Sequence, residues 1–160
     1  MRHAEAEQEQ HDQSDFDRVL TPDGQKLAIK TGALLQHHNI PIQRVLTSAA
    51  VRTHLTATLV ARRACPHAPI QLRQDLYAAS QQRIAQVLIE HAPPDENSVL
   101  IVAHNPGIAA LMLLWSDRFF DVSPGTLLAL HAQTDDWHQF HAAPRTAALL
   151  IRNGSLETLD

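Results

Sequence analysis

Val99-Leu100-Ile101-Val102-Ala103-His104-Asn105-Pro106-Gly107 is the stretch that decides the fold. Its first five residues are continuously apolar and rich in β-branched side chains. A strand buried on both faces of a parallel sheet reads this way, because each face is covered by a helix. Asn105-Pro106 then starts a helix to about Trp115, apolar nearly all round and so expected to be well buried. Working backwards, Arg44-Val45-Leu46-Thr47 is a second short buried strand, and a helix over 49–63 follows with Val51, Leu55 and Leu59 on one stripe.

Thr21-Pro22-Asp23 is a helix start: a capping hydroxyl, Pro at the first position and an acid in the first turn. Leu27, Thr31, Leu34, Leu35 and His38 share a face of that helix, which Asn39 and Pro41 end. Ser80 caps another helix, with Ile84, Val87, Leu88 and His91 on one face. Residues 127–131, 137–141 and 147–151 read as three further short strands. The alternation of strand and helix over 21–116 predicts a three-layer α/β/α sandwich around a mostly parallel sheet. The 160 residues form one domain, since no linker divides them and no repeat recurs.

Composition excludes several classes of function. A formal charge of −4 argues against a broad basic surface for nucleic acid. The longest purely apolar run, Ile108 to Trp115, is far too short to span a membrane. Cys65 is the only cysteine, so no intrachain disulfide forms, and with no signal peptide visible a cytoplasmic location is expected. His138-x-x-His141, with His131, reads as solvated histidine rather than a metal site, because positions three apart on a strand face opposite ways. No metal and no cofactor is expected.

Sites in parallel α/β sheets lie at the carboxyl ends of strands. Arg2-His3 at the start, Ser48 with Arg52 after the strand 44–47, and His104-Asn105 after the strand 99–103 could all converge there. Two guanidiniums grip phosphate oxygens, an imidazole is a good nucleophile near neutral pH, and a helix N-terminus favours an anion. That set suits phosphoryl transfer through a covalent intermediate.

These residues carry a resemblance. Arg2-His3-Ala4 looks like the Arg-His-Gly signature of the histidine phosphatase superfamily, which includes the phosphoglycerate mutases, and the match is best to its small SixA-like phosphohistidine phosphatases. The run from Asp15 to Gly24 is similar to that branch's Asp-x-x-Arg-x-Leu-Thr-x-x-Gly segment. Ser48-Ala49-Ala50-Val51-Arg52 resembles its Ser-Pro-x-x-Arg, with Ala49 in place of Pro. Leu76-Tyr77-Ala78-Ala79, His104-Asn105-Pro106-Gly107 and Pro124-Gly125-Thr126 match in order, over nearly the whole chain.

The resemblance implies a phosphoglycerate mutase-like fold. It makes His3 the phosphorylated nucleophile, Arg2 and Arg52 phosphate ligands, His104 the residue that completes the pocket, and Arg18 a fourth cation. The family places an apolar strand before Arg-His in the middle of the sheet; here that first central strand is expected to be truncated. Larger relatives carry a Glu that protonates a leaving alkoxide on an inserted segment this chain lacks, which leaves Glu5 and Asp75 as candidate acids. The implied substrate is phosphohistidine on a partner protein. A small-molecule phosphomonoesterase and a catalytically inactive phospho-binding or regulatory domain are the alternatives.

Overall fold

The two apolar runs lie side by side at the centre of the molecule. In the computed structural model, which describes residues 1–9 and 11–157, β1 (Arg44–Ser48) pairs in parallel with β3 (Val99–Val102) on one side. On its other side it pairs in parallel with β2 (Ile70–Arg73). Side chains alternate across a strand, and here the alternation divides two cores. Val45, Leu100 and Val102 pack to one face with α1 (Pro22–His37) and α2 (Val51–Ala64). Leu46, Ile101 and Ala103 pack to the other with α3 (Gln81–His91) and α4 (Gly107–Ser116). That is the expected three-layer sandwich.

The remaining strands differ from the mostly parallel expectation. β4 (Leu127–Ala132), β5 (Arg145–Arg152) and β6 (Ser155–Glu157) form an antiparallel sheet in the order β4-β5-β6. Residues 137–141 are not a strand. Trp137–Gln139 is a 3-10 turn, capped by the Asp136 carboxylate, which accepts the His138 N–H at 2.9 Å. Trp137 Nε1 donates to the Glu96 and Pro93 carbonyls at 2.8 and 3.2 Å, tying the turn to the loop after α3.

Residues 1–3 join the two sheets. The His3 N–H donates to Ala103 O (3.1 Å), and the Ala103 N–H donates to Met1 O (3.1 Å). On the opposite side Arg2 N–H reaches Thr126 O, and Gly125 N–H reaches His3 O, both at 2.9 Å. Residues 1–3 thus lie in the central strand position between the two sheets. Beyond Met1 the facing edges of β3 and β4 border an apolar groove of about 610 Å³, lined by Leu100, Ile101, Leu128 and Leu130 among others.

Two helices turn different faces inward from those predicted. On α2 the buried positions are Arg52, Thr53, Thr56, Ala57, Val60 and Ala61, while Leu55 and Leu59 are only half-buried. Small residues face the core there because α1 crosses α2 closely: a Cβ at Gly32 would lie 2.6 Å from Val60 O. His38 is exposed, and on α4 Leu114 is 60% exposed rather than buried all round. The α3 stripe of Ile84, Val87 and Leu88 is buried as expected, and the Ser80 side chain caps the helix by accepting from Arg83 N–H. No helix among the described residues is long and apolar enough to cross a membrane.

Gly107 opens α4 where a Cβ would sit 1.9 Å from Ala79 O, so the His-Asn-Pro-Gly segment packs directly on the Tyr77-Ala78-Ala79 turn. Overpacking at such a contact costs about 1–3 kcal/mol. Gly107→Ala is therefore expected to lower Tm by several degrees in a thermal melt. An unchanged melting curve would contradict this close approach.

Candidate active site

Backbone pairing places His3 at the carboxyl ends of β1 and β3. Besides the bonds to Ala103 and Gly125, the next residue is tied to α2, since Ala4 N–H donates to Thr56 Oγ1 at 3.0 Å. Thr56 Oγ1 in turn donates to Arg52 O at 2.7 Å. The Arg2-His3-Ala4 segment and the helix carrying Arg52 are thus one hydrogen-bonded unit.

His3 Nδ1 lies 2.7 Å from Ala4 O. A carbonyl only accepts, so Nδ1 carries the hydrogen and Nε2 keeps its lone pair. Burial pushes the His3 pKa down to about 4; the Ala4 carbonyl opposes this, and the charges of Arg52, Arg2 and Arg18 reinforce it. The ring is therefore neutral and nucleophilic at neutral pH.

His104 is buried, with its ring centroid 5.2 Å from that of His3. Its Nε2 is 2.8 Å from Ser48 Oγ. Ser48 Oγ accepts from Ala50 N–H at 3.3 Å and still has its own hydrogen to give. In that arrangement the ring proton of His104 sits on Nδ1, a buried atom without a hydrogen-bond partner. Burial first, then the charges of His3 and Arg52, push the His104 pKa down to about 3.

The guanidiniums are held from behind. Arg2 Nη1 donates to Val122 O at 2.8 Å. Arg52 is 5% exposed; its Nη1 donates to Asp15 O and its Nη2 to the Asp15 carboxylate at 2.8 Å. Arg2 Nε and Arg52 Nε are both buried N–H donors without a partner. Arg18 donates through Nε to Glu7 O (2.7 Å) and through Nη1 to Asp15 (2.8 Å). Buried donors left unpaired cost free energy, and an anion beside His3 is the chemistry that would satisfy them.

Ser48, already placed here by its position after the strand 44–47, is the partner of His104, and two members of this cluster carried no role in the sequence reading: Asp15, and Tyr77, whose hydroxyl donates to Asp15 at 2.7 Å. Their only signal was membership of the matching segments. The candidate acids are not in this arrangement. Glu5 is exposed and accepts from the Thr21 hydroxyl at 3.2 Å. Asp75 is bound by Arg73 and Arg83 at 2.8 and 2.5 Å, which holds its carboxyl well below the usual carboxylate range. Asp75, Glu90 and His91 are the one grouping of metal-type ligands among the described residues, and these two arginines already engage its carboxylates.

This site, on this fold, defines a class of phosphatase. The model of the histidine phosphatase superfamily (branch 1) matches residues 1–80, and the chain belongs to that superfamily. Within it the likeness falls on the SixA-like branch. A protein assigned as phosphohistidine phosphatase SixA from Nakamurella multipartitia is 27% identical, with a TM-score of 0.79 over 95% of this chain and 92% of that one. Its counterpart from Agrobacterium tumefaciens is also 27% identical, with a TM-score of 0.64 over 71% of each chain. A protein histidine phosphatase SixA complexed with tungstate shares the fold at 19% identity, with a TM-score of 0.77 over 94% and 93%. No curated protein matches the sequence.

Neutral burial of these groups has a consequence for stability. His3, His104 and the Met1 amino group, which donates to Ile101 O at 2.7 Å and is pushed down to about 5, all have lowered pKa values in the fold. Between the folded and unfolded pKa values the unfolded chain binds more protons, so stability rises with pH. Tm is expected to fall as pH drops from about 7 to 5. A Tm that is flat or rises on acidification over that range would contradict the buried neutral rings.

Proposed function

We propose that this chain removes phosphate from phosphohistidine on a partner protein through a phospho-His3 intermediate, without metal or cofactor. The observation that carries the reading is the tautomer of His3. Its Nδ1–H is spent on Ala4 O, so Nε2 keeps a free lone pair within the field of Arg52, Arg2 and Arg18. Arg2 and Arg52 supply buried N–H donors for the phosphoryl oxygens, Arg18 adds a third positive charge, and His104 donates from Nδ1. Preorganised donors of this kind stabilise charge where it develops in the transition state.

The reaction balances without a protein acid. His3 Nε2 attacks phosphorus and the N–P bond of the substrate breaks. The substrate phosphohistidine reacts with its other ring nitrogen protonated, so its ring leaves as neutral imidazole with that hydrogen in place. His3 becomes an imidazolium whose Nδ1–H stays on the Ala4 carbonyl. Water then attacks phosphorus, the His3 N–P bond breaks, and both hydrogens of water leave on dihydrogen phosphate. An alkoxide leaving group would instead need a proton. Asp75 is held ionised and has none to give, and Glu5 points to Thr21 in solvent. An N–P bond is thus the better match than a phosphate ester.

The named relatives support a protein-borne phosphohistidine as substrate. Cys65, a buried thiol outside any disulfide, suits a reducing cytoplasm.

Turnover of a phosphohistidine-bearing protein is expected to exceed that of sugar phosphates, and His3→Ala is expected to abolish it. Arg52→Ala is expected to lower kcat/KM by about 10²-fold or more. Faster ester hydrolysis would overturn the substrate assignment, and an active His3→Ala would overturn the nucleophile.

A further inference from the structure

Asp15 sits in the loop between His3 and α1, yet its carboxylate is where the site's side chains meet. It accepts from Arg18 Nη1 at 2.8 Å, from Arg52 Nη2 at 2.8 Å and from the Tyr77 hydroxyl at 2.7 Å. Its backbone carbonyl accepts from Arg52 Nη1. Arg52 and Tyr77 are 37 and 62 residues away in sequence, so this one residue gathers three separate segments.

We propose that Asp15 is a positioning residue for phosphoryl transfer, which aims Arg52 and Arg18 at the phosphoryl group and, through Tyr77, fixes the ring of His104. The inference rests on the reading of Arg52 and Arg18 as phosphate ligands. Geometry supports it at each arm. Asp15 takes both terminal nitrogens of Arg52 and leaves Nε, buried and without a partner, as a donor that remains for an anion. The Tyr77 ring stands edge-on to His104 at 5.4 Å and 88°, and the Phe16 ring packs against Tyr77 at 5.2 Å. A phenol anchored at its hydroxyl therefore braces the imidazole beside it.

Electrostatics requires such a group. Two guanidiniums brought to one nucleophile repel each other, and a carboxylate between them offsets that repulsion. The three donors hold the Asp15 carboxyl below the usual carboxylate range, so the countercharge persists through the working pH range. A carboxylate aimed at phosphate-binding arginines could instead compete with phosphate for them. The two roles make opposite predictions.

Kinetics of Asp15→Ala, Asp15→Asn and Tyr77→Phe, with inorganic phosphate as product inhibitor, separate them. Positioning predicts that Asp15→Ala lowers kcat about 10²-fold, the cost of a small misplacement of catalytic groups. It also predicts weaker phosphate inhibition, and partial rescue by Asn, which, unlike Ala, keeps a side-chain oxygen to accept from Arg52, Arg18 or Tyr77. Tyr77→Phe should lower kcat on its own, and its effect should largely vanish in the Asp15→Ala background, because the two share one contact.

Tighter phosphate inhibition with undiminished kcat would assign Asp15 as a competitor and overturn the proposal. So would an activity loss that only tracks the unfolded fraction in a melt, or additive effects of the two substitutions. Should His3→Ala retain activity, the reading of the whole site fails. An inactive His3→Ala beside an unimpaired Asp15→Ala sinks the Asp15 proposal alone.

Discussion

Four backbone hydrogen bonds around Arg2 and His3 hold the molecule's two sheets together and set His3 in place. The Ala103 bonds to Met1 and His3 align the segment with β3, and those of Thr126 and Gly125 align it with the start of β4. Because β1 and β3 are parallel, their carboxyl ends open on the same side, and His104 and Ser48 arrive there beside His3. The pocket follows from this pairing. Arg52 comes in on α2, which Thr56 ties to Ala4, and Asp15 closes the arrangement from the following loop.

The chemistry follows from how burial and charge divide the roles. Both imidazoles lose their charge to burial and to the arginines beside them. The guanidinium is too basic to be neutralised this way, so the pocket keeps its positive charge while its nucleophile stays free. In the proposed reading, such a site receives a phosphoryl group from a second imidazole. In that reading the carboxylate of the cluster, Asp15, is bound by cations and has no proton to give to an alkoxide.

Much of this was legible from residue patterns. Continuous β-branched runs marked β1 and β3, the Ile84-Val87-Leu88 spacing marked the inner face of α3, and Thr21 and Ser80 marked two helix starts. Arg52 and His104 were placed by their position after buried strands, and His3 by the Arg-His signature it resembles. What was missed depends on tertiary context. The leucines of α2 suggested the wrong face because close packing against Gly32 of α1 selects alanine and threonine instead. Trp137 looked like a strand residue, but its indole N–H is used by the carbonyls of 93 and 96. Tyr77 and the contact of Asp15 with Arg52 gave no local sign, because those partners are dozens of residues apart, and only the Asp15–Arg18 pair is local.

The central claim is that His3 accepts the phosphoryl group on Nε2, with Nδ1 committed to Ala4. Rapid quench of a reaction with a phosphohistidine-bearing protein, followed by peptide mapping and phosphorus NMR, tests it directly. The account predicts acid-labile phosphate on the peptide containing His3, bonded to Nε2, and none in the His3→Ala protein. Phosphate on Nδ1, on another residue, or direct release with no enzyme-bound phosphate under single-turnover conditions would contradict it.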